Sequence, residues 1–151
     1  MVVKLGDRSV TTNAILDSCS SVTFGSEKLY RNLNARCERP NIVSLDTATI
    51  HGERELKCKL MCNIKVYDLH QNYSVELPPV YTIKKIPVDL ADVVKEEDID
   101  KWEHLRDLRI SPLCNDVDLL IGLNAPAALE PMEVCHAPKK DDPFAIRTRR
   151  G

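Results

Sequence analysis

Glycine is scarce in this chain: five residues in 151, about half the usual frequency. No internal repeat or low-complexity tract is visible, and a glycine such as Gly122 is expected to serve close packing or an unusual backbone angle rather than looseness. An excess of charge of one sign is also missing. Twenty-one Lys and Arg stand against twenty-three Asp and Glu, a formal net charge of −2. No global field draws the molecule onto nucleic acid or an anionic membrane, so any such binding has to be local. Long apolar runs are lacking too. The longest are a few residues, far short of the ~20 needed to cross a bilayer, and the start MVVKLGDRSV has no secretory apolar core. The expectation is a soluble, intracellular (cytoplasmic) protein or part of a larger intracellular chain, with no membrane partner. What is present, 43% apolar and 29% charged residues in 17.1 kDa, suffices for one compact core.

The six cysteines, Cys19, Cys37, Cys58, Cys62, Cys114 and Cys135, lack the paired spacing of a zinc site. The one close pair is Cys58-x3-Cys62. Leu56, Cys58, Leu60, Cys62, Ile64 and Val66 alternate with Glu55, Lys57, Lys59, Asn63 and Lys65, which predicts a long strand with both thiols on its apolar face. A domain of this length stabilises itself by burial, so free thiols packed as small hydrophobes are expected, with no metal and no cofactor.

Strand patterns dominate the first half. Thr11 to Leu16 ends in Ala14-Ile15-Leu16, and the following Asp17-Ser18-Cys19-Ser20-Ser21 breaks the pattern, so a strand delivers Asp17 to a loop. Ser26 can cap a short helix carrying Leu29, Tyr30 and Leu33 on one face, with Glu27 in its first turn and Asn34 near its exit. From Asn41 to Ile83 the signal is of antiparallel hairpins. Pro78-Pro79 and Pro87 then interrupt strand pairing. Beyond them, Lys95 to Asp98 opens a predicted helix with Ile99, Trp102 and Leu105 at a spacing of three. Val117 to Gly122 reads as a buried strand in which Asp118 marks the exposed side, and Leu123 to Leu129 as a short helix with Pro126 near its first turn. Residues 137–151 form a basic, solvated tail with a final strand at Phe144-Ala145-Ile146.

Asp17 alone combines a reactive group with a persuasive setting. It follows three apolar residues and precedes a loop rich in hydroxyl and amide donors, which can orient a carboxylate and favour its charged form. Taken by itself, an Asp after a strand also makes a structural Asx turn. The balance changes with the segments Ala14-Ile15-Leu16-Asp17-Ser18-Cys19-Ser20-Ser21 and Val117-Asp118-Leu119-Leu120-Ile121-Gly122-Leu123-Asn124, taken in this order and separation. Together they resemble the catalytic strand-loop and supporting strand of retropepsin-like aspartic peptidases. The chain also resembles the peptidase domain in polyproteins of Pao-type (BEL/Pao) long-terminal-repeat retrotransposons. Stretches similar to Glu76-Leu77-Pro78-Pro79-Val80-Tyr81, Glu97 to Leu105, Asp118 to Gly122, Ala128 to Val134 and Pro143 to Thr148 occur there in the same order, so the resemblance covers nearly the whole chain.

The resemblance implies a mainly β, retropepsin-like fold: a closed, barrel-like protomer with two or three short helices. Residues 1–136 would form the peptidase domain, with an insertion over 78–112, and 137–151 the C-terminal tail of a piece of a longer polyprotein. It implies hydrolysis of peptide bonds in an extended polypeptide substrate, with Asp17 catalytic and Ser18, Cys19 and Ser20 in the active-site loop. Leu120, Ile121 and Gly122 would form the supporting strand, and Gly52 the tip of a flap between Leu45 and Leu56. Two carboxylates sharing one proton are needed, one as base toward water and one as acid toward the carbonyl oxygen. One chain offers one such loop, so a homodimer with Asp17 and its mate on the two-fold axis is implied. Cys19 departs from the family pattern, which has glycine there. The alternative is an inactive remnant that keeps the fold as a dimerisation or interaction domain. Weaker alternatives are a Cys19 nucleophile served by His51, His70, His104 or His136, and a nucleic-acid-binding role of the basic tail, nucleic acid being an unlikely partner for this domain.

Overall fold

The computed structural model describes residues 1–35, 43–49, 52–88, 91, 93–110 and 116–148. Strands β1 (Val2–Leu5) and β2 (Arg8–Thr11) form an antiparallel hairpin across the two-residue turn Gly6-Asp7. Gly6 has φ +57°, the left-handed conformation that such tight turns require. Strands β8 (Lys65–Tyr67) and β9 (Ser74–Glu76) complete a four-stranded antiparallel sheet in the order β2-β1-β8-β9. The second sheet holds five strands in the order β3-β11-β4-β10-β7. These are β3 (Asn13–Leu16), β4 (Phe24–Ser26), β7 (Leu60–Met61), β10 (Val80–Ile83) and β11 (Val117–Ile121). Two further pairs, β5 (Val43–Thr49) with β6 (Gly52–Cys58) and β12 (Pro131–Cys135) with β13 (Ala145–Thr148), stand as two-stranded sheets.

The chain is thus mainly β with short helices, as the patterning predicts. A closed barrel is not formed among the described residues: the strands divide into separate sheets, and β2, β9, β3 and β7 end theirs as edges. One apolar core still joins the two larger sheets, because Val3 and Val66 of the first cluster with Met61, Val80, Leu119 and Ile121 of the second. Leu29 of helix α1 (Glu27–Asn32) and Leu33, the residue that caps its end, cover it.

Helix α1 begins and ends as its sequence dictates. The Ser26 hydroxyl accepts the Leu29 amide at 3.0 Å, and Glu27 lies in the positive first turn. Asn34, at φ +46°, terminates it in the left-handed conformation, and the Ala35 amide reaches back to the Tyr30 carbonyl at 3.0 Å. Ser26→Ala should cost about 1–3 kcal/mol, because it removes the cap and also a hydroxyl donor to buried Asp118. Urea unfolding measures this; a loss within a few tenths of a kcal/mol would show that water replaces both bonds.

The alternating run at 54–67 is not one strand. It passes from β6 to β7 to β8, and Met61, between the two positions that strict alternation would bury, is the one fully covered. The chain leaves β7 through Asn63, at φ +58°, which starts a new alternation with Ile64 and Val66 inward. Cys58 is buried, and burial pushes its thiol pKa up; Cys62 is half-buried.

The span 78–112 is not uniform. Its first residues form β10, a central strand parallel to β4 and antiparallel to β7, with Val80 fully buried. Further on, α2 (Glu96–Ile99) is a single turn, and a 3₁₀ turn follows at Glu103–Leu105. The apolar spacing of three belongs to three-residue turns rather than to a longer α-helix. Helix α3 (Pro126–Leu129) is the predicted short one, with proline at its start. The final strand β13 returns to pair with β12, and His104 ties this hairpin to the 3₁₀ turn: its Nε2 meets the Pro143 carbonyl at 2.9 Å, and the Cys135 thiol donates to the His104 carbonyl at 3.2 Å.

Candidate active site

Strands β3 and β4 are joined by the loop 17–23, yet they do not pair with each other. β11 lies between them, parallel to β3 and antiparallel to β4. Ile121 opposes Leu16, and Leu120 opposes both Ile15 and Phe24. The Asp17 amide extends the ladder by donating to the Ile121 carbonyl at 2.9 Å. Asp17 therefore stands at the mouth of the loop with its backbone fixed by the strand beneath.

Its side chain is oriented from within the loop. The Cys19 amide donates to Asp17 Oδ1 at 2.8 Å and the Ser20 amide approaches the Asp17 carbonyl at 3.3 Å, an Asx turn that leaves the residue half-exposed. Ser18 and Cys19 are exposed, while Ser20 is half-buried and donates from its hydroxyl to the Val22 carbonyl at 2.7 Å. The described non-glycine residues with positive φ are Asn34, Asn63 and Gln71. Cys19 thus has a backbone conformation open to any residue.

Beneath the loop, Gly122 fills the place that its scarcity suggested. A Cβ there would lie 2.3 Å from the Val22 oxygen and 2.6 Å from the Ser20 oxygen. The next residue closes the contact, its Leu123 amide donating to the Ser20 carbonyl at 2.8 Å. Two residues not singled out by the sequence complete the arrangement. Thr23, fully buried, accepts the Gly122 amide at 3.2 Å and donates to Asn124 Oδ1 at 2.7 Å. A buried Thr at a strand entrance and an Asn after a glycine carry no pattern of their own; only the pairing of 23 with 124 gives them a role.

Asp118 is the clear correction. Alternation places it on the exposed side of β11, but it is 4% exposed and accepts hydroxyl hydrogens from Thr12 and Ser26. Lys28 Nζ lies 3.9 Å from it and 3.0 Å from Asp116. The Asp116 bond, and then the Asp118 charge, raise the Lys28 pKa; the Lys28 ammonium in turn lowers that of Asp116.

The expected flap falls on the β5–β6 hairpin. Gly52 opens β6 opposite Thr49, and the connecting residues 50 and 51 lie outside the described residues. The hairpin is rooted on β10, where the Lys59 amide donates to the Thr82 hydroxyl and the Thr82 amide to the Lys59 carbonyl, both at 2.9 Å. After Gly122, the residues Leu123, Pro126, Ala127, Leu129, Glu130 and Pro131 line an open, mainly apolar concavity of about 440 Å³. Of the histidines, His51 lies outside the described residues and His104 is engaged with Pro143.

No helix of the described residues is long and apolar enough to cross a membrane. Among the described residues, no cluster of three or more His, Cys, Asp or Glu could hold a metal ion. Comparison with family models, with curated proteins and with solved structures finds no match for this chain.

Proposed function

We propose that this chain is an aspartic endopeptidase module of a retrotransposon-type polyprotein, hydrolysing extended peptide segments with an Asp dyad formed by two copies. The observation that carries the proposal is the strand order around Asp17. A loop carries one oriented, accessible carboxylate, its two flanking strands are separated by a third, and that strand delivers a glycine beneath the loop backbone. Such a platform holds a carboxylate still while leaving it open to water and to a peptide carbonyl, as general acid–base chemistry requires.

One loop supplies one carboxylate, and the second comes from a symmetric partner. Leu16 and Leu123 support this, since both flank the loop and are 37% and 54% exposed, a setting that favours a partner's apolar surface over water. Asp17 of each protomer would share one proton across the axis. Ser18 would steady the loops against each other, with Ser20 and the Leu120-Ile121-Gly122 segment holding them from below. The hairpin starting at Gly52 would cover the substrate. No cofactor takes part.

The test is cleavage of a mixed peptide library at mildly acidic pH by the wild-type chain and by Asp17→Asn. Cleavage by the wild type alone is expected. Silence from both chains, with dimerisation retained, would replace the enzyme by an interaction module of the same fold; equal cleavage by both would place the chemistry elsewhere.

A further inference from the structure

The burial of Asp118 follows from a defect in strand pairing. Val117 opposes Asn13 and Leu119 opposes Ala14, so Asp118 is an extra residue in β11 without a counterpart in β3. This is a β-bulge in a parallel pair, an uncommon feature that re-aims one side chain and shifts every later residue by one place. Its neighbours Val117 and Leu119 are buried as well, which simple alternation forbids.

The consequence is felt at the loop. With the bulge, Ile121 opposes Leu16 and Gly122 falls under Ser20 and Val22. Without it, Leu120 would oppose Leu16 and Ile121 would take the place of Gly122. There, even a single Cβ meets the Val22 oxygen at 2.3 Å. The bulge is therefore a condition for the loop's present shape.

One carboxylate holds that bulge from both sides. Asp118 Oδ2 accepts the hydroxyl of Thr12, which precedes β3, at 3.0 Å; Oδ1 accepts the hydroxyl of Ser26, which ends β4, at 2.5 Å. Both neighbours of β11 are thereby tied to its extra residue, and both bonds go to a charged acceptor, the stronger kind of hydrogen bond. Lys28, 3.9 Å away on α1, faces the same carboxylate.

We infer that Asp118 is a positioning residue for Asp17: it locks the register of β11, and through that strand it fixes the carboxylate and the glycine beneath it. The inference rests on the Asp17 loop being the reacting site, but its structural test needs no catalysis. Asp118→Val keeps a buried, strand-favouring side chain and removes both acceptors, while Asp118→Asn keeps one carbonyl acceptor and nearly the same volume. Amide hydrogen exchange and amide resonances are to be followed by NMR on the full chain.

In Asp118→Val the Asp17 and Leu123 amides, bonded to Ile121 and Ser20, should exchange at least about tenfold faster, and the Cys19 resonance should move. Val3 and Val66, at the centre of the other sheet, should keep their protection. Asp118→Asn should show the same pattern at smaller amplitude, and with a peptide substrate it should lower kcat with little change in KM. Unchanged exchange at Asp17 and Leu123 in both variants, or equal loss in both sheets, would overturn the register lock. A wild-type chain that never cleaves peptide while Asp118→Val shows the local pattern would remove the peptidase proposal and leave the lock standing.

Discussion

Gly122→Ala should dismantle the loop that carries Asp17. The added methyl would sit 2.3 Å from the Val22 oxygen, 2.6 Å from the Ser20 oxygen and 2.8 Å from the Val22 carbonyl carbon, and all three are backbone atoms. No side-chain rotation relieves such contacts. The loop would have to lift, and with it would go the Leu123 amide's bond to Ser20 and the Thr23 hydroxyl's hold on the Gly122 amide. Overpacking together with the strained bonds should cost about 2–5 kcal/mol, a large share of the stability of an ordinary domain. Gly6→Ala provides the contrast. Nothing lies within 4 Å of its Cβ position, and its cost is the left-handed φ alone, about 1 kcal/mol. Urea unfolding of the two variants should therefore separate clearly, and cleavage should vanish in the first and survive in the second. If Gly122→Ala unfolds at the wild-type midpoint, the contact beneath the loop is not what holds it.

The parts of this arrangement that could be read from the sequence are those governed by neighbours along the chain. Strands β3 and β11, the cap at Ser26, the exit of α1 at Asn34 and the start of α3 at Pro126 all rest on local chemistry, and each is where the pattern places it. The β1–β2 hairpin was not read from the sequence: its strands are four residues each, and Arg8-Ser9 after Gly6-Asp7 carries no apolar alternation to mark the second of them. Asp118 was not legible. A bulge shifts burial by one residue without any mark in the local pattern, and only the partners Thr12 and Ser26, 106 and 92 residues away, define it. The same limit applies to Thr23 with Asn124, separated by 101 residues. Alternation through 54–67 misled for a related reason: it continues in sequence while the chain changes sheets at Asn63. Closure into a barrel, expected from resemblance, depends on edges meeting in space, which no periodicity encodes.

Asp17→Asn should lower peptide cleavage by at least about a thousandfold, and the manner of the loss is more informative than its size. An amide has the shape of the carboxylate and can still accept the Cys19 amide at its oxygen, so the Asx turn and the fold should survive. What it lacks is the capacity to take a proton from water. If each working unit draws one Asp17 from each of two chains, a mixed dimer holds one carboxylate and one amide and cannot share a proton between two acids. Pre-mixing equal amounts of variant and wild type, at constant total protein and after subunit exchange, leaves about one quarter of the dimers fully wild type. Activity should fall to about that fraction. A monomeric enzyme, or one using a different carboxylate of its own chain as the second acid, would instead retain about one half, because each wild-type chain would act alone. The pH profile discriminates again. Two carboxylates sharing a proton give a bell-shaped rate dependence with two macroscopic titrations that belong to the pair. Dilution below the dimer's dissociation constant should abolish the bell along with the rate, whereas a site complete within one chain would keep both. Strand β11 builds the platform under Asp17 within a single chain, so in the proposed dimer each copy would bring an identical half, and a shared proton would make the two halves one site.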